Sequence, residues 1–536
     1  MSEGETHVPG TSLDAAANGG SVPCDVPGTR LPRAAAGRND PGSGPWWRTA
    51  VFYEAYVRSF ADSDGDGVGD LGGIRSRLPY LRDLGVDGLW LTPFFPSPGA
   101  DHGYDVSSYV DVDPQFGTLA DFDALLADAH ALGLRVVIDL VPNHTSIEHP
   151  WFREHPDYYV WADEPNNWLS VFGGPAWTYD ERQGRWYLHL FAREQPDLDW
   201  HNPAVQGEFD AIFRFWLDRG VDGIRIDVAH GLFKDPDLAD EPEPVPGAEL
   251  HSFDRRRAID RPELHPLYRR LRALVDEYDG DRFLVGEVFF RDPQRVAQYV
   301  RPDELHLVFN FTLLFSAWDA AALRDAIDRS LDSLGAVGAS ASWVLESHDV
   351  TRLPTRYGGG ADGLRRARAA ALLLLALPGC VFLYEGQELG IEEVDLPAGA
   401  RQDPIFFRTG GERLGRDGCR VPVPWTPDAP GYGFTTGTPW LPAPAGWGER
   451  SVAAETGDAA STLELFRAAL AARPDGRFAW RASPAGTLVF ERGGLVCAVN
   501  VDGEPLRLPD GEVVLASEPL DGGGLPAGAS AWVRPA

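Results

Sequence analysis

Four short segments carry residues fit for acid–base or metal chemistry. "DLVPNHTS" brings Asp139, Asn143 and His144, "GIRIDVAHG" brings Arg225, Asp227 and His230, "VGEV" brings Glu287, and "ESHD" brings Glu346, His348 and Asp349. Each closes an apolar run rich in β-branched residues, so the polar side chains stand at the ends of expected strands. Carboxylates from three strand ends facing one mouth would repel one another, a cost that a purely structural site avoids. A second pattern, "DSDGDGVGDLGG" (62–73), sets Asp62, Asp64 and Asp66 at alternate positions, followed by Gly67 and Asp70. It copies the start of a calcium-binding EF-hand loop, but Gly73 stands where the closing bidentate Glu is needed. The preceding "VFYEAYVRSF" (51–60) reads as a strand and not as an entering helix. The loop is therefore a candidate metal turn in some other fold.

The elements that must position these residues follow a regular alternation. Eight candidate strands, 51–57, 88–93, 134–140, 223–227, 282–288, 305–311, 341–347 and 380–386, alternate with helix-like stretches such as 119–133 and 207–220. That count predicts an α/β fold, a (β/α)8 TIM barrel whose catalytic groups gather where the strands end. Residues 143–202, rich in Trp, Tyr, His and Pro, are too long for a loop and read as a small inserted domain (domain B) after the third strand. The barrel then occupies 46–142 and 203–473, with an irregular Pro- and Gly-rich excursion at 391–460 after the eighth strand. Alternating residues over 486–503 predict a C-terminal antiparallel β domain, a β-sandwich spanning 474–536, and residues 1–45 read as a disordered leader.

Composition narrows the partners. With 536 residues and 43% hydrophobic residues the chain can bury a large core, and a formal charge of −32 argues against nucleic acid or an anionic membrane as partner. Cys24, Cys380, Cys419 and Cys497 are far apart and lack zinc or disulfide spacing, no transmembrane run is present, and Lys234 is the only lysine. A soluble protein of the reducing cytoplasm is expected, as a monomer or homodimer.

Together, the strand-end segments in this order resemble glycoside hydrolase family 13, the α-amylase family. "QPDLDWHNP" (195–203) and "GRDGCRVPVPW" (415–425) narrow the resemblance to its α-glucosidase and oligo-1,6-glucosidase branch. The resemblance implies Asp227 as nucleophile, Glu287 as general acid and base, and Asp349 as the third carboxylate. The chemistry agrees: Arg225, on the same strand face as Asp227, can hold it ionised, and Val285 and Val288 can raise the pKa of Glu287. His144 and His348 resemble donors to sugar hydroxyls, whereas His102 and His230 read as ordinary polar residues. In "GADHGYDVSSY" (99–109), Asp101 and Tyr104 match residues lining a glucose pocket, Arg420 matches the arginine that pairs with this Asp and closes it, and Gln195 is a neighbour. Ser347 stands where the family usually has Asn, and Val228 accompanies α-1,6 preference in some relatives.

The resemblance also implies that Asp62, Asp64, Asp66, Asp70 and the Val68 carbonyl hold a structural Ca2+, with no organic cofactor. The reading is thus an exo-acting, retaining α-glucosidase acting on a small oligosaccharide or α-glucoside. Oligo-1,6-glucosidase and transglucosylating relatives are the alternatives. A non-catalytic family relative is the distant one, disfavoured by the full carboxylate set and the lack of a membrane anchor.

Overall fold

Short apolar runs buried on both faces build the centre of the molecule, as a parallel sheet covered by helices requires. In the computed structural model, which describes residues 44–242, 257–428 and 431–536, these are β1 (Val51–Ala55), β2 (Gly88–Leu91) and β3 (Arg135–Leu140). After a break come β4 (Trp161–Ala162), β5 (Trp177–Asp180) and β6 (Arg185–Leu188), and then the core resumes with β7 (Gly223–Ile226), β8 (Phe283–Gly286), β9 (Leu307–Val308), β10 (Ser342–Val344) and β11 (Cys380–Tyr384). The leader expected over residues 1–45 lies, apart from its last two residues, outside the described residues, as does Cys24.

The core strands form one parallel sheet in the order β10-β11-β1-β2-β3-β7-β8-β9. A parallel bridge between Asn310 and Trp343, with a hydrogen bond from the Ser342 hydroxyl to the Val308 carbonyl, joins the two ends, so the eight strands close into a barrel. All eight expected strands are present, each shorter than its apolar run.

Inside the barrel Phe52 stacks on Phe382 with centroids 4.7 Å apart and meets Phe283 at 5.3 Å. Two strand glycines make the room: a Cβ on Gly223 would lie 2.3 Å from the Phe283 ring, and one on Gly88 would lie 2.9 Å from Phe52. Helices are set by their caps. Thr118 and Asp121 form a capping box before helix Leu119–Ala131, and helix Pro203–Arg219 starts on Asn202 and Pro203 and stops at left-handed Gly220. At the base, Asp222 is fully buried and takes Arg282 at 2.7 Å, His130 at 2.7 Å and Arg135 at 3.0 Å.

β4, β6 and β5 make a small antiparallel sheet within the stretch after β3, and Lys234 ties that stretch to the loop after β7 through Asp197 at 2.8 Å. Beyond helix Thr462–Ala472 the chain is antiparallel: β12 (Phe478–Trp480), β13 (Thr487–Arg492), β14 (Leu495–Asn500), β15 (Leu506–Arg507), β16 (Gly511–Ala516), β17 (Gly524–Leu525) and β18 (Ala529–Pro535). They give a five-stranded sheet, β12-β13-β14-β18-β16, and a two-stranded ribbon of β15 and β17.

Candidate active site

The carboxylates converge on one cationic group. Arg225, on β7, reaches Asp139 Oδ1 at 2.9 Å and Asp227 Oδ1 through Nη1, and Glu287 Oε1 at 2.9 Å through Nη2. One guanidinium cannot balance three buried carboxylates, so the set retains a proton. Burial raises Glu287 to about 8, and Asp227 and Asp139 to about 7, with Arg225 opposing in each case. Glu287 is raised furthest, the direction that suits a general acid, while at Asp227 the Arg225 guanidinium in contact opposes the rise.

Backbone turns aim the remaining groups. Val228 follows Asp227 in the left-handed region at φ 45°, uncommon for a β-branched residue, and its N–H donates to Glu287 Oε2 at 3.0 Å. His102 (φ 50°) and Gly103 (φ 107°) reverse the chain after β2, so Asp101 and Tyr104 both face the same cavity.

That cavity is lined by Asp101, Tyr104, His144, Phe172, Phe191, Asp227, Val228, His230, Glu287, Phe289, Asp349 and Arg416. All three expected catalytic carboxylates share it. His144 stays neutral: burial lowers its pKa to about 4, Asn143 faces its Nδ1 at 3.1 Å, and its Nε2 lies 3.1 Å from the Tyr104 carbonyl. Gln195 bridges inward, 3.0 Å from His144 Nε2 and 3.1 Å from Asp101 Oδ2. His348 sits behind the lining, its Nε2 2.8 Å from the Tyr104 hydroxyl and 3.4 Å from Asp349 Oδ2. His230, read as an ordinary polar residue, lines the cavity beside Glu287.

One pairing differs from expectation. Asp101 meets Arg416 at 2.6 Å, and not Arg420. Both arginines belong to "GRDGCR", but the single turn Asp417–Cys419 between them sends them apart. Arg416 enters the cavity wall, anchored by Asp403 at 2.6 Å and reaching Asp349 at 3.2 Å. Arg420 is wholly buried behind it, on Asp349 Oδ1 and the His348 carbonyl, both at 2.8 Å. Burial would raise the Asp349 carboxyl, but the Arg416 and Arg420 guanidiniums in contact with it hold it far below its usual range.

Sequence reasoning missed Arg416, Asp403 and Glu54. Arg416 lay within the quoted motif. For Glu54 the signal was a charged residue inside a strand buried on both faces.

The aspartate-rich loop lies between β1 and helix Leu71–Leu84. Carboxylate oxygens of Asp62, Asp64 and Asp70 come within 4.8 Å of one another. Asp66, expected as a ligand together with the Val68 carbonyl, lies outside this group; its Oδ1 accepts the Val68 N–H at 2.8 Å, as Asp64 Oδ1 accepts the Asp66 N–H at 3.0 Å. Asp70 also caps the helix through Gly73 N–H at 2.6 Å. Burial pushes Asp62 up, but the Thr435 hydroxyl and the amides of Gly65, Gly67 and Asp64 more than offset it and keep Asp62 ionised. Three clustered carboxylates with oxygen donors only fit a hard cation.

Barrel, strand-end carboxylates and the cavity they line together define a glycoside-processing enzyme. Residues 54–479 match the alpha-amylase family by its catalytic domain, and the chain belongs to that family. It is 43% identical over 463 residues to a probable alpha-glucosidase of Rhizobium meliloti, covering 80% of this chain and 82% of that one. An oligo-1,6-glucosidase of Parageobacillus thermoglucosidasius is 37% identical over 470 residues, covering 79% and 82%. Among solved structures, the alpha-glucosyl transfer enzyme XgtA superposes with a TM-score of 0.83 at 41% identity, covering 91% of this chain and all (100%) of the other.

Proposed function

We propose that this protein is an exo-acting, retaining α-glucosidase that releases terminal glucose from short α-linked oligosaccharides or α-glucosides. The observation that carries this reading is the Asp101–Arg416 pair, at 2.6 Å, in the wall of the same cavity as Asp227, Glu287 and Asp349. A charged carboxylate so placed binds the hydroxyls of a chain end. Similarity to enzymes named alpha-glucosidase and oligo-1,6-glucosidase supports it.

In the reaction, ionised Asp227 attacks the anomeric carbon while Glu287 donates its proton to the leaving oxygen, giving a glucosyl ester on Asp227. Glu287, now a carboxylate, takes a proton from water, which attacks the ester and frees glucose with its α configuration retained. Two carboxyls held by one guanidinium suit the separation of about 5–5.5 Å used by retaining enzymes better than the wider gap of inverting ones. Asp349 and Asp101 hold the sugar ring. Arg225 keeps Asp227 charged.

Val228 lines the cavity beside Asp227, which bears on α-1,6 against α-1,4 linkages, and the likeness to XgtA, described as an alpha-glucosyl transfer enzyme, favours transfer to a sugar acceptor as a second outcome. Initial rates on maltose, isomaltose, sucrose, trehalose and nitrophenyl α-glucoside, against soluble starch, test the proposal: fast release from the small glucosides is expected, and faster attack on starch would refute it.

We further infer that Asp62, Asp64 and Asp70 hold one structural calcium-like cation remote from the chemistry. At about 100 times its dissociation constant such an ion adds roughly 2.7 kcal/mol of stability. Chelator should lower the melting temperature and leave kcat unchanged at temperatures where the fold persists; an unshifted melt would refute it. A reducing cytoplasm is supported by Cys380, Cys419 and Cys497, all buried free thiols. Among the described residues no helix is long and apolar enough to cross a membrane.

A further inference from the structure

Glu54 lies on β1, where all five residues are buried, and is itself 1% exposed. Its Oε1 contacts Nδ1 of His348. Asp101 and Asp349 have Arg416, and Asp139, Asp227 and Glu287 have Arg225. Glu54 stands apart: among the described residues no arginine or lysine comes within ion-pair distance of it, and its close partner is the histidine. The groups facing it are His348 and Asp349 from the loop after β10, Glu385 and Tyr384 at the end of β11, and Arg225 on β7. An ionised carboxylate so buried, with two other carboxyls near and no cation in contact, carries a large desolvation cost that protonation removes.

The protons on His348 can be counted. Its Nε2 faces the Tyr104 oxygen at 2.8 Å and Asp349 Oδ2 at 3.4 Å. Asp349 is held ionised by two arginines, and the Tyr104 hydroxyl gives its own proton to Asp139 at 3.1 Å. Both neighbours of Nε2 are therefore acceptors, and Nε2 must carry hydrogen. Burial holds the ring far below the usual histidine range, so it takes no second proton, and Nδ1 is left as a bare acceptor. The proton in the Glu54–His348 contact must then come from the carboxyl group. Burial, with Asp349 adding and Arg225 opposing, pushes Glu54 well above its usual range, in the same direction.

We propose that Glu54 is a positioning residue: as a neutral carboxylic acid it donates to Nδ1 of His348 and fixes that ring with its hydrogen on Nε2, where it braces Tyr104 and Asp349 in the cavity wall. Rings stacked on either side keep the imidazole plane in place, Tyr104 at 5.4 Å and Tyr56 at 5.5 Å. Glu54 sets the remaining variable, which nitrogen bears the proton. The inference rests on the reading of Tyr104 and Asp349 as walls of the glucose site, but the tautomer itself can be observed without any substrate.

The test is nitrogen NMR of isotope-labelled histidines at neutral pH, with His348 assigned through His348→Gln, alongside kinetics on maltose. We expect a neutral His348 ring protonated on Nε2 in the wild type and in Glu54→Gln, whose carboxamide N–H can replace the acid proton, and kcat/KM in Glu54→Gln within a few-fold of the wild type. Glu54→Leu, which has no donor, should lower kcat/KM by at least about tenfold and let hydrogen appear on Nδ1. An imidazolium or an Nδ1-protonated ring in the wild type would overturn the proposal. So would a tenfold loss in Glu54→Gln, which decides the matter should Glu54→Leu fail to fold. A wrong substrate assignment would leave the NMR result intact, so the two failures are distinguishable.

Discussion

Arg416→Gln is the most informative single change, because its guanidinium serves three carboxyls: Asp101 and Asp403 at 2.6 Å each and Asp349 at 3.2 Å. Removing one partner of a buried pair costs about 3–5 kcal/mol in general, here divided between folding and function. Asp403 keeps backbone donors from Ile405 and Arg416, and Asp349 keeps Arg420 at 2.8 Å, but Asp101 is left with Gln195 at 3.1 Å. Burial already raises Asp101 to about 6 against the pull of Arg416. Without that pull it rises further toward the neutral acid, and to the extent that it protonates a charge-assisted hydrogen bond to the sugar becomes a neutral one, worth about 1–1.5 kcal/mol less, or roughly tenfold. Misplacement of Asp349 adds at least as much, so kcat/KM on maltose should fall by about 10²–10³-fold. Activity needs both Asp227, at about 7, and Asp101, at about 6, ionised, so the acid limb should move upward in the variant once Asp101 rises past Asp227. Steady-state kinetics across pH, with a thermal melt to confirm folding, measure both effects. Arg420→Gln, which touches Asp349 and not Asp101, should lower kcat and raise Asp101 less than Arg416→Gln does, since Arg420 holds Asp101 down only from a distance. A folded Arg416→Gln with wild-type kcat/KM and an unmoved acid limb would refute the pairing.

Asp227→Asn removes the nucleophile and should reduce turnover by roughly 10⁴-fold, read from glucose release; near-normal rates would move the nucleophile elsewhere. Glu287 must hold a proton to act as acid, so cleavage of alkyl glucosides should decline as pH rises through about 8, and Glu287→Gln should abolish that dependence together with most of the activity. At the base of the barrel, burial raises Asp222 but His130, the Val136 amide and Arg282 hold it below its usual value. Its stabilising contribution is therefore fully present above the unfolded-state pKa of about 3.9 and lost as pH falls through the lower folded value. Asp222→Asn should cost about 3–5 kcal/mol in denaturant melts with kcat intact, and a loss under 1 kcal/mol, the usual worth of a surface pair, would argue against a buried network there.

Much of the barrel was legible because parallel strands covered on both faces must be continuous apolar runs. The run at 305–311 is the least faithful case: only Leu307–Val308 forms a strand, and Asn310 keeps a single bridge to Trp343 while its side chain caps the short helix Phe311–Leu314. The helix expected from 207 begins at Pro203, where Asn202 accepts the Ala204 N–H. Strand-end carboxylates were readable for the same reason as the strands, because a parallel barrel exposes its strand termini on one face. Which arginine of "GRDGCR" meets Asp101 was not readable, since both lie in one short motif and only the turn between them separates their directions. Asp62, Asp64 and Asp66 look equivalent in sequence, and each accepts an N–H two residues on, so nothing local distinguishes them. Glu54 has no motif around it, and its meaning rests on the histidine brought to it from 294 residues away.

Proton NMR of maltoheptaose during the first turnovers tests the central claim most directly, because it reads both the chain position of attack and the anomer first formed. We expect free glucose from the outset, with shortening by one unit at a time, and that glucose appearing as the α anomer before mutarotation. β-Glucose as the first product would contradict the Asp227 ester, and early internal maltooligosaccharides would contradict a cavity closed by Asp101 and Arg416.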